Sequence, residues 1–413
     1  MDLLRFAIIG SVDDGKSTLI GRLLNDTRQL FEDQIAALEA VSRRRGLSEV
    51  ELAFVTDGLR AEREQGITID VAYRYAATPR RKLVIADCPG HVQYTRNMAT
   101  GASNADLAVV VVDASAGLKE QTRRHLCISA LLGVTEVLLC VNKMDLVDWS
   151  QEAFERAVEE VEDLADHLTI TGVTAIPISA LHGDNVAEPS DRSPWYGGPT
   201  VFEALDSAKV GEPVSGGGRM PVQWVVRHRD GRAYAGMISG GPLRVGEEVL
   251  VLPSRRSSRI ASLSTFDGEF EEAWPGQSVT VVLADDLDVA RGDMLAAAVD
   301  PPDTVTELEA TVCWFADRPL QAGDRYRVKH TTRSCAAIVQ AVEGRLDVNH
   351  LKVGPAERLA ANDIGLIRLA VATPLAVDSY RRNRTTGSFV IVDESTNATL
   401  GAAMVGQPVM SPV

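Results

Sequence analysis

The chain has 413 residues, with 57 Asp and Glu against 42 Lys and Arg, and therefore a formal net charge of −15 at pH 7. That length exceeds what one hydrophobic core usually serves, so we expect two or three domains. The acidic balance argues against a protein that coats nucleic acid, although a local basic patch could still bind RNA.

The cysteines and the apolar runs indicate the cellular compartment. The five cysteines are scattered and form no C-x-x-C pair, so we expect neither a disulfide framework nor a zinc site, and a reducing environment. The longest apolar runs, such as residues 107–112, are far shorter than a membrane span. A predicted strand begins almost at the N-terminus, so we expect no signal peptide and a cytoplasmic protein.

The first motif is GSVDDGKS at residues 10–17, between an apolar run at 6–9 and a helical pattern at 18–24. Strand, Gly-rich loop and helix in this order are typical of a P-loop, whose backbone N–H groups cradle phosphate oxygens. Lys16 can reach the β- and γ-phosphates as a catalytic group, and the Ser17 hydroxyl can bind Mg²⁺. We therefore predict a nucleotide-binding loop of Gly10, Ser11, Val12, Asp13, Asp14, Gly15, Lys16, Ser17 and Thr18.

The next segment combines a polar helical pattern at residues 28–45 with a strand predicted over 67–75. Three arginines close the helix, which we interpret as a solvated helix end, with a phosphate or RNA contact as the alternative. Thr68 stands at the start of the strand, where its hydroxyl can complete a Mg²⁺ shell and sense the γ-phosphate. We predict Thr68 as a metal ligand and catalytic residue, although alone it would be an ordinary strand residue.

The sequence DCPGH at residues 87–91 ends another predicted strand. The Asp87 carboxylate, close to the P-loop, can bind Mg²⁺ directly or through water. Gly90 can present its N–H to the γ-phosphate without steric cost. His91 is then placed to orient an attacking water, and we predict it as catalytic; a satisfied polar histidine is the alternative.

The sequence NKMD at residues 142–145 follows a strand predicted over 136–141 and specifies the base. The Asp145 carboxylate can accept hydrogen bonds from both N1–H and the 2-amino group of guanine, a donor pair that adenine lacks. Asn142 can bond the base edge and hold the loop, and Lys143 can lay its stem along the ring. The motif argues against an ATP-using P-loop kinase, because an adenine site has no use for it.

The small residues Ser179 and Ala180 follow a strand predicted over 173–178 and let the backbone approach guanine O6. Strands and helices alternate throughout this part of the chain, with further helices predicted at 92–100, 119–132, 152–168 and 199–205 and strands at 83–87 and 105–112. Phosphate and base sites at strand C-termini describe a doubly wound α/β domain, which we assign to residues 1–210.

Helical periodicity largely ends after a Gly-rich linker signal at residues 214–218. Short strands between Asp-Gly, Gly-Gly-Pro and Pro-Gly turns are predicted at 221–226, 233–239, 248–252, 260–264, 278–283, 307–315, 326–331, 334–342, 364–371 and 388–393. We predict two antiparallel β-barrels, at 219–302 and 303–413. Basic runs at 254–259 and 380–384 are interpreted as solvated loops, with contact to a partner or nucleic acid as the alternative.

Together the motifs resemble, in order, the five guanine-nucleotide motifs of translation-factor GTPases. The sequences at residues 12–18, 62–75 and 94–103 resemble more specifically those of the large, GTP-binding subunit of bacterial sulfate adenylyltransferase. Elongation factor Tu would more often show His in place of Asp14 and Arg in place of Gln65. The resemblance covers essentially the whole chain and also implies two β-barrels after a P-loop GTPase domain.

The resemblance implies GTP and Mg²⁺ as ligands and a small catalytic subunit as partner in a heterodimer. In that family the large subunit hydrolyses GTP, and the small subunit transfers AMP from ATP to sulfate, giving adenosine 5′-phosphosulfate and pyrophosphate. It also implies an apolar gate of Val12 and Ile67 near the catalytic His. Cys88 stands where the family usually has Thr, and we interpret it as a packing residue.

A translation factor that delivers charged tRNA is the alternative on the same three-domain body. It would need a basic, aromatic-lined track across the barrels. The basic clusters here are short and only 5% of the residues are aromatic, so we favour sulfate activation and expect neither a nucleic acid nor a membrane as partner. No second G-x-x-x-x-G-K sequence follows residue 150, so we expect no kinase fused within these residues.

Overall fold

The computed structural model describes residues 2–27, 68–168, 170–209, 216–228 and 231–406. Outside these residues lie the helix predicted at 28–45, Gln65, Ile67 and residues 214–215 of the linker signal. The helices are α1 Lys16–Asp26, α2 Thr95–Ala102, α3 Glu120–Leu131, α4 Gln151–Asp166 and α5 Val201–Ser207. Within the described part of the chain, no helix is long and apolar enough to cross a membrane.

The amino-terminal part is built on one sheet, whose described strands are β1 Asp2–Ile9, β2 Ala72–Ala77, β3 Arg81–Asp87, β4 Leu107–Asp113, β5 Glu136–Asn142 and β6 Gly172–Pro177. Their order is β2-β3-β1-β4-β5-β6, and all neighbours are parallel except β2 and β3. Every residue of β4 is buried, as in a parallel strand covered on both faces. The predicted α/β fold is confirmed.

The strand predicted to begin at residue 67 begins at Ala72, so that part of the prediction is wrong. Backbone groups just before the strand form hydrogen bonds with side chains instead of with a neighbouring strand. Asn97 Nδ2 donates to the Ile69 carbonyl at 2.8 Å, and the Val71 N–H donates to Asp70 Oδ1 at 2.8 Å. The β ladder starts only where Ala72 pairs with the last residue of β3.

The rest of the chain is antiparallel, with strands β7 Gly218–His228, β8 Gly231–Met237, β9 Ser239–Gly240, β10 Leu243–Arg244, β11 Glu248–Leu252, β12 Arg256–Thr265, β13 Gly268–Phe270, β14 Glu272–Ala273, β15 Ser278–Leu283, β16 Met294–Ala297, β17 Asp303–Trp314, β18 Leu320–Gln321, β19 Arg325–His330, β20 Arg333–Asp347, β21 Lys352–Gly354, β22 Arg358–Leu359, β23 Ile364–Val377, β24 Ser388–Val392 and β25 Thr399–Val405. Strands β11-β16-β7-β8-β15-β12 close on themselves through β11 and β12. Strands β19-β24-β25-β17-β23-β20 close through β19 and β20. The two predicted barrels are confirmed, but β16 and β25, which complete their circuits, were missed by the sequence analysis.

A buried ion pair joins the two barrels. Arg219 on β7 donates from Nε and Nη2 to the two carboxylate oxygens of Asp378, each at 3.1 Å. The two side chains are 2% and 1% exposed, and the Thr386 hydroxyl adds a bond to Asp378 at 2.7 Å. A forked, hydrogen-bonded pair of this kind is geometrically demanding and fixes the two barrels in one arrangement.

The basic run at residues 380–384 takes part in the same contact. Arg382 pairs with Asp300, which follows β16, and its Nε lies 3.7 Å from Asp378. This pairing holds the pKa of Asp300 below its ordinary value. Tyr380 is buried. The prediction of a solvated loop is therefore wrong for Tyr380. Arg382 is 40% exposed, and its acidic partners include one that is far away in sequence.

We expect Asp378→Asn to weaken the contact between the barrels, because the buried Arg219 guanidinium then keeps only the Asp300 carboxylate, 3.9 Å away, as a countercharge. The free energy of opening of β7 and β23 should fall by about 3–5 kcal/mol, measured by native-state hydrogen–deuterium exchange. Asp288→Asn is the control, since Asp288 forms an exposed pair with Arg232. Equal changes in the two variants would contradict the role of the buried pair.

Candidate nucleotide-binding site

The P-loop follows a backbone path that requires glycine at both ends. Gly10 and Gly15 have φ values of 152° and 96°. A Cβ on Gly10 would lie 2.5 Å from the Val111 carbonyl oxygen, and one on Gly15 would collide with Asn142 Nδ2. The loop delivers the chain into α1 at Lys16, so the free N–H groups of a helix N-terminus lie at its base, where phosphate binding is favoured.

Lys16 lies inside this loop. Its side chain is buried, and Nζ donates to the Ser11 carbonyl at 2.6 Å. Burial lowers the pKa of Lys16, while the nearby carboxylates of Asp14 and Asp87 act in the opposite sense. A Cβ on Gly90 would lie 2.5 Å from Lys16 Nζ and 3.0 Å from the Ser11 carbonyl carbon, so the segment after β3 approaches the loop closely.

The residues at and after the end of β3 that were predicted to act near the phosphates lie at the same edge of the sheet as the P-loop. Asp87 is 1% exposed at the end of the strand. His91 is half-buried, precedes the 3₁₀ turn Val92–Tyr94, and borders a cavity of about 390 Å³ that is also lined by Ser11 and Gly90. Its ring meets that of Tyr94 edge-on, with centroids 6.3 Å apart. The predicted water-orienting residue therefore faces the same space as the P-loop.

The proposed metal ligands are only partly brought together. Ser17 lies half-buried in the first turn of α1, and Asp87 ends β3 beside the P-loop. A hydroxyl and a buried carboxylate are oxygen donors that suit Mg²⁺, which keeps several of its waters. Thr68 is half-buried and lies four residues before β2, on a segment that does not belong to the sheet.

Asn142 connects the phosphate and base halves of the site. It is 3% exposed, its Nδ2 donates to the Asp14 carbonyl at 2.9 Å, and its Oδ1 accepts the Ala180 N–H at 3.0 Å. One side chain thus holds the P-loop, the end of β5 and the loop of Ser179 and Ala180. The loop-holding role predicted for Asn142 is seen directly in these contacts.

The two charged residues of the base motif have different surroundings. Lys143 has a left-handed backbone with φ 62°, and its Nζ lies 2.8 Å from Asp113 Oδ2. Burial raises the pKa of Asp113, but hydrogen bonds from Lys143 and Ser115 outweigh it and lower the pKa overall. Asp145 is half-buried, and its carboxylate lies 3.9 Å from His182 Nε2. This separation is longer than a hydrogen bond, so the contact with His182 leaves the Asp145 oxygens open to a base.

Two cations that hold these loops could not be predicted from the motifs. Arg22 on α1 donates to the carbonyls of Ala180 and Leu181. Lys119, directly before α3, pairs with Asp14 in the P-loop. Neither residue belongs to a nucleotide motif. For Lys119 the only signal in the sequence was indirect, because an aspartate at position 14 of a phosphate-binding loop needs a countercharge.

Cys88 is fully buried, and its Sγ lies 3.7 Å from the Ala86 carbonyl and 3.8 Å from the Met98 carbonyl. Burial raises the pKa of this thiol. A Cβ on Gly101 of α2 would lie 2.5 Å from the sulfur, so the thiol fills a tight space between β3 and α2. These contacts support the interpretation of Cys88 as a packing residue, because buried thiols in such surroundings are inert.

Comparison with known proteins gives the family. The elongation factor Tu GTP binding domain matches residues 1–210, and the GTP-eEF1A C-terminal domain-like family matches residues 307–406. The bifunctional enzyme CysN/CysC of Mycobacterium tuberculosis (strain ATCC 25618 / H37Rv) is 51% identical over 98% of this chain and 67% of its own length.

Two further relatives carry a single-function name. Sulfate adenylyltransferase subunit 1 of Aeromonas hydrophila subsp. hydrophila is 48% identical over 98% of this chain and 86% of its own length. Its namesake from Laribacter hongkongensis (strain HLHK9) is 49% identical over 98% of this chain and 85% of its own length. The chain therefore belongs to the sulfate adenylyltransferase subunit 1 family, within the superfamily of translation-factor GTPases.

Proposed function

We propose that this chain hydrolyses GTP and couples that reaction to the formation of adenosine 5′-phosphosulfate and pyrophosphate from ATP and sulfate on a separate catalytic subunit. The observation that carries this proposal is the convergence of the P-loop, residues 87–91 and residues 142–145 at one sheet edge, where Asn142 ties the P-loop to the loop of Ser179 and Ala180. Similarity of 48–51% over nearly the full chain favours this activity over delivery of charged tRNA.

The residues near the phosphates have different roles, which follow from their chemistry. The backbone of residues 10–18 cradles the α- and β-phosphates, and Lys16 neutralises charge at the β- and γ-phosphates. Ser17, Thr68 and Asp87 would hold Mg²⁺, which when bound supplies charge neutralisation and orientation of the phosphate oxygens. The narrow cradle around Gly15, which a Cβ would fill, and the buried Lys16 support this assignment.

His91 and Gly90 act at the γ-phosphate. The Gly90 N–H bonds a γ-phosphate oxygen, and the His91 imidazole orients the water that attacks phosphorus. Support comes from the cavity that His91 shares with Ser11 and Gly90. Val12 lines the same cavity and forms the described half of an apolar gate whose other member would be Ile67.

The base is read by Asp145, which accepts from guanine N1–H and the 2-amino group, while the backbone of Ser179 and Ala180 approaches O6. Asn142 holds these loops at a fixed distance from the P-loop. Lys143, tied to Asp113, keeps the stem of its side chain beside the base. Fixed donors and acceptors of this kind reject adenine because its edge would leave the buried groups unpaired.

The partner is a small catalytic subunit, and the complex acts in the cytoplasm as a heterodimer. The name that the relatives carry, subunit 1, supports a second subunit. All five cysteines are buried free thiols, which suits a reducing compartment. We divide the chain into a GTPase domain at residues 1–210 and barrels at 219–302 and 303–413.

The direct test is pyrophosphate release from ATP and sulfate by this chain co-expressed with its candidate small subunit. Release should require GTP and both chains, because the chemistry on sulfate lies on the partner and the driving reaction lies here. The control is GTP binding by this chain alone. Tight GTP binding without any GTP-dependent release would contradict the coupling and leave a GTPase of another pathway.

We expect Asp145→Asn to shift base preference from guanine to xanthine, because an amide can donate to the 2-oxo group of xanthine. Loss of two charge-assisted bonds should weaken GTP binding by roughly 10²-fold or more, measured by calorimetric titration with GTP and XTP. Asp148→Asn, at an exposed position three residues on, is the matched control. Retained GTP preference in the first variant would refute this role of Asp145.

We expect His91→Ala to bind GTP normally and to hydrolyse it about 10²-fold more slowly, the scale of one water-orienting or general-base group. Single-turnover hydrolysis with saturating enzyme separates this effect from binding. Gln93→Ala changes an exposed residue of the same turn and should hydrolyse GTP at the wild-type rate. An unchanged rate for His91→Ala would move the catalytic task to another group.

A further inference from the structure

Asp14 is held at every polar atom of its side chain. The carboxylate is 1% exposed, its Oδ2 accepts the Ser11 N–H at 2.8 Å, and its Oδ1 accepts from Lys119 Nζ at 2.6 Å. Lys119 Nζ also donates to the Val12 carbonyl at 3.3 Å. One ammonium thus ties together the residues on both sides of Asp13, whose backbone is left-handed at φ 63°.

The anchor for this contact lies outside the nucleotide motifs. Lys119 is the residue directly before α3, and the first turn of that helix places the Thr122 hydroxyl 2.9 Å from the Ser11 hydroxyl. The start of a packed helix therefore braces the P-loop at two points. Fixing a loop in its binding conformation removes an ordering cost that would otherwise be subtracted from affinity.

The same contact controls charge. A buried carboxylate at Asp14 acts against the binding of anionic phosphates at this loop, because like charges repel strongly where water is excluded. Among the charges around Lys16, Asp14 acts most strongly against the lowering of the Lys16 pKa by burial. The ion pair with Lys119 compensates Asp14 and leaves the charge of Lys16 available to phosphate. Since Lys119 is 37% exposed, solvent screens part of this effect.

We propose that Lys119 is a positioning residue for nucleotide binding, which acts through Asp14 rather than on the nucleotide. Its ammonium holds the P-loop in the path that cradles phosphate and neutralises the carboxylate beside that site. The inference rests on the proposed binding of GTP at this loop. It assigns part of the affinity to an ion pair whose cation lies outside the guanine-nucleotide motifs.

The test is a double-mutant cycle on GTP affinity in the presence of Mg²⁺, measured by calorimetric titration of the full chain. Lys119→Met should weaken GTP binding by about tenfold at low salt, and the loss should shrink as salt is raised. In an Asp14→Asn background the same substitution should change affinity by less than about twofold, since no charge remains to neutralise. Lys119→Arg should keep affinity within about threefold of wild type.

Lys82→Met is the matched control, because Lys82 is an exposed lysine near the start of β3, at the end of the sheet away from the P-loop. It should bind GTP as wild type does. Equal losses for Lys119→Met in both backgrounds would show a direct contact with the nucleotide and overturn the inference, as would unchanged affinity. Failure of the wild-type chain to bind GTP would instead refute the proposed function.

Discussion

The site depends on one buried amide. The Asn142 side chain spans from the Asp14 carbonyl to the Ala180 N–H, and so sets the distance between the loop for phosphates and the loops for the base. A nucleotide has a fixed length, so this spacing decides whether both ends can be bound together. The amide can serve two loops because it carries a donor and an acceptor on one rigid plane. The close approach that it requires explains why the neighbouring loop residue is Gly15.

The motifs could be predicted because each lies within a few residues at the end of a strand. Parallel strands bring their carboxyl ends to one edge, so residues 10–17, 87–91 and 142–145 could be placed together from their order along the chain. The contacts that hold them could not, since their partners are far apart in sequence. Asn142 and Asp14 are separated by 128 residues, and Lys119 and Asp14 by 105. Local patterns contain no information on such pairs.

The strands of the barrels also show what local sequence patterns could not predict. Ten strands with β-branched or alternating apolar residues were predicted near their observed positions, but β16, MLAA, and β25, TLGAAMV, were missed. Ala, Gly and Met have weak β propensity, and these strands form because partners on both sides supply the ladder. Closure of each barrel thus determines the structure of a segment whose own residues favour no strand.

Charge placement follows one rule in the GTPase domain and in the barrels. The chain buries carboxylates at Asp14 and Asp378, and each is matched by a cation from a distant element, Lys119 or Arg219. Burying a charge is costly unless it is paired and hydrogen-bonded, so each pair tolerates few alternative arrangements. In the barrels this constraint fixes two bodies against each other. At the P-loop the same physics has a further consequence, because the ligand is itself an anion and competes for the same cations. An ion pair there determines how much positive charge is left for phosphate, and thereby affects affinity as well as shape.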